Sequence, residues 1–279
     1  MQILKKILLG FLALLLGLII VFDIWGALTL GTITPDADAT LDRDANRVAM
    51  VFGATGSVGD GLLKAVIEDP DVERVYVVTR RTSERIDAGV ASGKVEMLLH
   101  ADFTDYSALA DVLSEVNIVL WGLGTSSLQV DEATYTWIHV DFPVAFVNAW
   151  LAARTEGPMS FHSVTGMGTG EDQDAQWAQD KGRAEREVAQ LATGTGLRTF
   201  GYRSAYVRPT SEQANVLIYL LEWLLRPGKL VIPSKALGQS MLEISMRTQE
   251  LPNGSVIDNA DSIAYAQLYQ LQQQRDQGR

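Results

Sequence analysis

The sequence contains no cysteine. Disulfides and thiolate metal sites are therefore excluded. Many cytosolic proteins also lack disulfides, so this absence leaves the compartment open. Histidine is scarce, at three residues. His100 and His139 stand isolated and are not spaced as metal ligands, and no Ser-His-Asp arrangement is apparent. Positive charge is in short supply: 23 Lys and Arg face 34 Asp and Glu, for a formal net charge of -11. That disfavours nucleic acid, which is held by phosphate-neutralising cations, and a polybasic grip on anionic lipid. Internal repeats and low-complexity tracts are also missing. The remaining composition, 47% hydrophobic and 20% charged, is that of a folded globular protein with ample surface to bury.

The apolar residues are unevenly spread. "MQILKKILLGFLALLLGLIIVFDIWGALTL" opens with Lys5 and Lys6, then runs uncharged from Ile7 to Phe22. That run makes roughly 24 Å of helix, a little short of a ~30 Å hydrocarbon core. Including Ile24 to Leu28 makes it long enough, with Asp23 and Trp25 at the interface. Residues 1–30 are thus expected to be a single-pass N-terminal membrane anchor. A cleaved signal peptide is the alternative, although the h-region is long and a small-x-small cleavage site is missing. A buried core helix is a third possibility. Residues 31–46, "GTITPDADATLDRDAN", are polar, acidic and without hydrophobic period, as a linker would be.

"RVAMVFGATGSVGDGLLKAVIED" carries the most information. Val48 to Phe52 is a short apolar run suited to a strand buried on both faces. Gly53, Gly56 and Gly59 follow at three-residue spacing, and Leu62, Leu63, Val66 and Ile67 then recur at helical spacing. A strand, a tight glycine turn and a helix N-terminus make an anion site, with free backbone N–H groups aimed at a pyrophosphate. Gly53 permits the turn, Gly56 lets phosphates approach and Gly59 lets the helix pack on the sheet. Thr55 and Ser57 add hydroxyl donors, and Val58 contributes backbone in the same turn. The flanking strand and helix are what make the glycine triplet a dinucleotide signature.

A second strand, "RVYVVTRR", ends in Arg80 and Arg81, where an NAD site usually places an acid for the ribose 2′-OH. Arginines there match the 2′-phosphate of NADP by charge and bidentate geometry. A solvated loop is the plainer alternative. "KVEMLLHADF" gives a third strand ending near Asp102 and Phe103, and "NIVLWGLGTSS" a fourth with Gly122 and Gly124 past its end. "PMSFHSVTGMG" gives a fifth ending at Ser163, and "LRTFGYRS" a sixth. Helical stretches fall at about 105–115, 131–153 and 172–193. This alternation predicts an α/β fold, a doubly wound parallel Rossmann-like sheet over residues 47–279 behind an N-terminal transmembrane helix. Ligands then sit beyond the carboxyl ends of the strands, with Gly53, Arg80, Asp102, Gly122 and Ser163 on one rim.

With these motifs the chain resembles the short-chain dehydrogenase/reductase superfamily, in its extended and atypical branches. "GATGSVG" matches the family's three-glycine turn, "HADFTD" its adenine loop and "LWGLGT" its glycine-bearing fourth strand. The layout is most similar to the NAD(P)H-binding group of the Tat-interacting-protein type, from about Arg47 to Pro209. The resemblance implies that Ser163 is the serine that orients a carbonyl, and that Lys181 is the lysine that holds the nicotinamide ribose. In the family that lysine also lowers the pKa of a tyrosine four residues earlier, which donates the proton. Here that slot is Trp177, whose indole N–H donates a hydrogen bond but does not titrate usefully. Strand alternation sends His162 to the face opposite Ser163, as a packed structural residue. Thr165 is well placed but a poor acid. Tyr202 and Tyr206 are expected to be packed, with a route into the cleft as the alternative.

Beyond Arg208-Pro209 the alternation is expected to stop, leaving a region of about 210–279 that shapes a substrate pocket. "ANVLIYLLEWLLRPG" reads as core packing or a pocket wall, with Trp223, Leu224 and Leu225 as lining or core residues. It is too short to span a bilayer, though a second membrane contact is open to it. "KLVIPS" suggests a short strand, and "ALGQSMLEISM" and "IDNADSIAYAQLYQLQQQ" closing helices. The expected function is a membrane-anchored oxidoreductase or epimerase-like enzyme using NADP rather than NAD, acting on a small molecule the sequence does not identify. The alternative is a non-catalytic NADP-binding redox sensor or scaffold at the membrane. Lysines ahead of the span predict a cytoplasmic N-terminus and an exported domain, whereas the cofactor is abundant only inside cells, so the side of the membrane stays open.

Overall fold

The computed structural model describes residues 2–278. Met1 and Arg279, the outer ends of the expected anchor and domain, lie outside the described residues. Along the chain, helix α1 (Gln2–Thr29) precedes β1 (Val48–Phe52), α2 (Ser57–Glu68), β2 (Arg74–Thr79), α3 (Glu84–Ala91) and β3 (Val95–Leu99). Next come α4 (Ala110–Leu113), β4 (Ile118–Trp121), α5 (Glu132–Thr136), a π-helical turn Trp137–Asp141 and α6 (Phe142–Ala153). β5 (Met159–Val164), α7 (Gln176–Ala192), β6 (Leu197–Arg203), β7 (Tyr206–Arg208), α8 (Val216–Leu225) and β8 (Val231–Pro233) follow. α9 (Ser234–Met246), β9 (Ser255–Asp258) and α10 (Asn259–Gln277) close the chain.

Seven strands form one sheet in the order β3-β2-β1-β4-β5-β6-β9, and every pairing is parallel. β1 is buried at all positions because it is central and covered on both faces. Its side chains alternate: Ala49 and Val51 join the core under α2, α9 and α10, while Val48, Met50 and Phe52 join the core under α6 and α7. Phe52, Trp121, Phe146 and Phe161 pack as an aromatic cluster on the second face, with Phe52 and Trp121 ring centroids 4.3 Å apart. On the first face α2 and α9 cross closely through small residues. A Cβ on Gly238 would stand 2.6 Å from Ala65 Cβ, and one on Gly61 would collide with Ser234.

Four differences from the sequence-based expectation have physical causes. The sheet does not end at β6, since β9 adds a seventh parallel strand from the region read as helical closure. Helix α3 falls in a stretch that gave no apolar period. The expected helix at 105–115 is a short 3-10 turn, Ser107–Leu109, followed by one turn of α4. Residues 31–46 are not a free linker but a strap bound to the domain. Gly31 N donates to Asp258 Oδ2 (2.7 Å), Ile33 N to Asp261 Oδ1 (2.9 Å) and Asp42 N to Met246 O (2.9 Å). Arg43 then bridges Asp71 and Asp276.

His162 is wholly buried on the α9 side of β5, with Nδ1 2.9 Å from the Tyr202 hydroxyl. Both are packed structural residues, and neither reaches the cleft. Burial, reinforced by the nearby Arg198, holds the His162 pKa well below its ordinary 6.5. The unfolded chain therefore takes up a proton that the folded chain refuses. Stability is retained above about pH 6.5 and lost as the pH falls below it. Thermal unfolding of the full-length protein in detergent should show the loss between about pH 7 and pH 5, with this one group contributing about 2 kcal/mol by the lower end. His162→Gln should shrink the pH dependence, and an unchanged dependence would show that the imidazole is not held neutral.

Candidate functional site

The rim begins where β1 runs into its glycine turn. Gly53 has φ +73, a left-handed conformation that costs other residues about 1–2 kcal/mol. Gly56 N donates to Gly53 O (2.9 Å) to close the turn. Gly59 sits against that same carbonyl, where any Cβ would overlap it, so α2 is seated directly on the end of β1. Gly56 caps α2 without a side-chain hydrogen bond. The first intrahelical bond runs from Asp60 N to Gly56 O (2.9 Å), so the N–H groups of Ser57, Val58 and Gly59 precede the helical ladder. Gly56 and Ser57 are exposed on the open side. The result is an unblocked helix N-terminus, a site for an anion.

A groove of about 290 Å³ opens beside it, lined by Gly53, Thr55, Arg80, Arg81, Phe103 and Leu123. Arg81 is tied to the turn, with Nε 3.4 Å from Thr55 Oγ1 and its backbone closed on the Thr79 hydroxyl. Arg80 and Arg81 are both exposed, and among the described residues neither has a carboxylate partner. This is pointed in an acidic chain where Arg85, one turn on, is claimed by Asp60 at 2.7 Å. Phe103 is buried, stacked on Phe142 at 5.3 Å, and forms the groove floor. Asp102 is exposed beside it and accepts from Thr104 N and Oγ1, hydrogen bonds that hold its carboxyl below the ordinary value.

Beyond the turn, Gly122 N donates to Phe52 O (3.1 Å), and a Cβ on Gly122 would press within 3.3 Å of Gly59 Cα. Gly124 lies against the His139 ring, where a Cβ would stand 2.7 Å from its Cε1. Ser163 and Lys181 line one small pocket with Trp121, Leu123, His139 and Thr165. Ser163 Oγ donates to Phe200 O (3.3 Å) and Thr165 Oγ1 to Glu185 (2.6 Å). Lys181 has no carboxylate within ion-pair distance among the described residues, and burial lowers its pKa, with Glu185 opposing. Trp177 does not line this pocket. Its ring covers Gly168, in the loop after β5, with Cη2 3.5 Å from where a Cβ there would be.

His139 is the residue the sequence passed over. It lies in the π-helical turn, with Nε2 3.0 Å from Thr125 O and 3.2 Å from Thr125 N, so its tautomer decides whether it donates or accepts. Burial first, then the Lys181 charge, lowers its pKa to about 4, and it is neutral near pH 7. π-helical turns recur at functional sites. Nothing in the local sequence announces one, however, because Thr136 on the preceding turn reaches α7 only in the folded state, through Asp180 at 2.8 Å.

No family model matches the chain. "Leucinostatins biosynthesis cluster protein T" of Purpureocillium lilacinum is 26% identical over 145 residues, 51% of each chain. "Protein FMP52, mitochondrial" of Chaetomium globosum is 28% identical over 123 residues, 43% of this chain and 49% of that protein. The chain thus spans about half the length of the curated relatives it matches. Among solved structures, the Pseudomonas aeruginosa RhlG/NADP active-site complex aligns with a TM-score of 0.58 at 13% identity, covering 78% of this chain and 96% of that one. A short-chain dehydrogenase/reductase from Serratia marcescens gives 0.58 at 16%, covering 77% and 98%. Bordetella bronchiseptica WbmF in complex with NAD+ gives 0.56 at 15%, covering 80% and 78%. The seven-stranded parallel sheet with helices on both faces is therefore the Rossmann-like fold of solved short-chain dehydrogenase/reductase structures.

Proposed function

We propose that the protein is an NADP-preferring oxidoreductase or epimerase-like enzyme of the short-chain dehydrogenase/reductase type, attached to a membrane through α1. "GATGSVG", "HADFTD" and "LWGLGT" favour the extended and atypical branches, of the Tat-interacting-protein type. The observation that carries the proposal is the pair of arginines without carboxylate partners, Arg80 and Arg81, in the same groove as an uncapped helix N-terminus. For the anchor, the support is a helix long and apolar enough to cross a bilayer and exposed along almost its whole length.

The residues present fit a nicotinamide dinucleotide. The N–H groups of Ser57, Val58 and Gly59 would hold its diphosphate, and Thr55 would add a hydroxyl. Arg80 and Arg81 would hold a 2′-phosphate, Asp102 and Phe103 would flank the adenosine end, and Lys181 the nicotinamide ribose. When bound, the cofactor supplies hydride transfer to or from a carbon that bears oxygen. The chain's own part is positioning. The Ser163 hydroxyl is free to turn from Phe200 O toward a substrate oxygen, and Gly122 and Gly124, without side chains, let the first turn and the His139 ring come close. Trp177 cannot donate a proton and His139 carries no extra one at neutral pH, so the substrate proton would come from water or from another group at the cleft.

Trp177 supports a second reading, a protein that binds NADP without turnover, as a redox sensor or scaffold. Two measurements separate these outcomes. Arg80→Ala and Arg81→Ala should each weaken NADPH binding by about 10- to 100-fold, the worth of a charged hydrogen bond, and leave NADH nearly unchanged. Equal losses for both cofactors would show that the arginines do not recognise the 2′-phosphate. Full-length protein given NADPH with a panel of aldehydes, ketones and quinones should consume the reduced cofactor slowly. Trp177→Tyr should change that rate by less than about twofold, because position 177 faces Gly168 and not the Ser163 pocket, out of reach of a substrate there. Tight binding with no consumption in either protein would favour the sensor.

A further inference from the structure

Helix α8 is built inside out. Its one charged residue, Glu222, is buried, paired with Arg208 at 2.8 Å and Arg226 at 3.0 Å. Val216, Leu217, Leu220 and Trp223 are each more than half exposed, and Val216 reaches 86%. A helix facing water has the reverse arrangement, with charge outward and the apolar stripe inward. Adjacent large apolar groups turned outward mark an interaction or membrane surface. This also corrects the expectation that Trp223 sits in the core or lines the substrate pocket, whereas Leu224 and Leu225 are half-buried and belong to neither core cluster. Other exposed apolar residues, such as Val90, Leu128 and Met167, are scattered along the chain and need no partner.

The neighbour of α8 identifies what covers it. The other helix with apolar side chains facing outward is α1, and the two meet. Gly26 of α1 is buried against Gly228, just past α8. A Cβ on Gly228 would stand 2.6 Å from Phe22 O, and one on Gly26 would overlap the Gly228 carbonyl. Two glycines at the crossing thus allow backbone contact between the end of α1 and the turn that follows α8. The strap fixes where α1 leaves the domain, because Gly31 and Ile33 are hydrogen-bonded to Asp258 and Asp261 at the carboxyl end of β9. The apolar face of α8 therefore starts at the level of Phe22, Asp23 and Trp25, where α1 passes from lipid to water.

We propose that α8 is a second membrane contact, lying in the interface of the bilayer that α1 enters, with its apolar face in lipid and Glu222 turned to the domain. This rests on the reading of α1 as a membrane anchor. At roughly 15 Å, α8 is too short to span and lies along the surface. The helix itself carries no basic residue, so apolar burial drives the contact and anionic lipid is not required. α8 follows β6 and β7, and the strap holds α1 at the end of β9. The docked pose thus puts the carboxyl rim of the sheet, with its groove, on the membrane side of the domain.

The absence of native cysteine makes single-site spin labelling direct. Full-length Leu12→Cys, Leu217→Cys and Leu128→Cys proteins would each be labelled and reconstituted in phosphatidylcholine nanodiscs, one chain per disc or several. Labels at positions 12 and 217 should be relaxed more by oxygen than by an aqueous nickel chelate, and the label at 128 more by the chelate. Adding anionic lipid should leave the pattern unchanged. A lipid-like label at 12 with an aqueous label at 217 would overturn the proposal and leave the anchor standing. Dipolar broadening at 217 would overturn it too, because a second copy would then cover the helix. An aqueous label at 12 would remove the anchor, and the proposal with it.

Discussion

The carbonyl of Gly53 organises the glycine-turn end of the molecule. Gly56 donates to it, and Gly59 packs on it so closely that no side chain fits between. Those two contacts seat the first turn of α2 on the end of β1, leaving the N–H groups of residues 57 to 59 ahead of the helical ladder. Gly122 presses on the same turn from β4. On the far side of α2, α9 crosses through Gly61, Ser234 and Gly238, so the helix cannot retreat from the turn. Small residues on three elements keep one helix end open toward the rim.

Charge is used sparingly around this frame. In a chain with a net charge of -11, most arginines are claimed: Arg43, Arg85, Arg203, Arg208 and Arg247 all pair with carboxylates. Arg80 and Arg81 stand apart at the groove, and Lys181 stands apart at the pocket with Ser163. Leaving cations exposed or half-buried without a partner forgoes stabilisation, and sites that bind or react are where such arrangements concentrate. Helix α8 inverts the same economy: it buries its one carboxylate on Arg208 and Arg226 and presents its apolar residues outward.

Much of the N-terminal half of the sheet was legible because its determinants are local. β1, the glycine turn and α2 are consecutive, so apolar run, glycine spacing and helical period specify them together. The alternation that buries His162 and turns Ser163 toward the pocket follows from strand pleat alone. What escaped notice depends on distant partners. β9 has only Val256 and Ile257 as apolar residues, and it becomes a strand by pairing with β6. The strap has no hydrophobic period because its backbone N–H groups bind the carboxylates of Asp258 and Asp261 and a carbonyl of α9. His139 enters the pocket only when its π-helical turn docks on α7. Glu222 was a visible clue, one acid within "LIYLLEWLL", but its inward direction is set by Arg208.

The central claim is that the amides after β1 hold the diphosphate of a nicotinamide dinucleotide. Calorimetric titration of the full-length protein in nanodiscs tests it most directly. Saturable heat with NADPH at one site per chain is the predicted result. Absence of heat with NADPH, NADP, NADH and NAD alike, from protein shown to be folded, would contradict it.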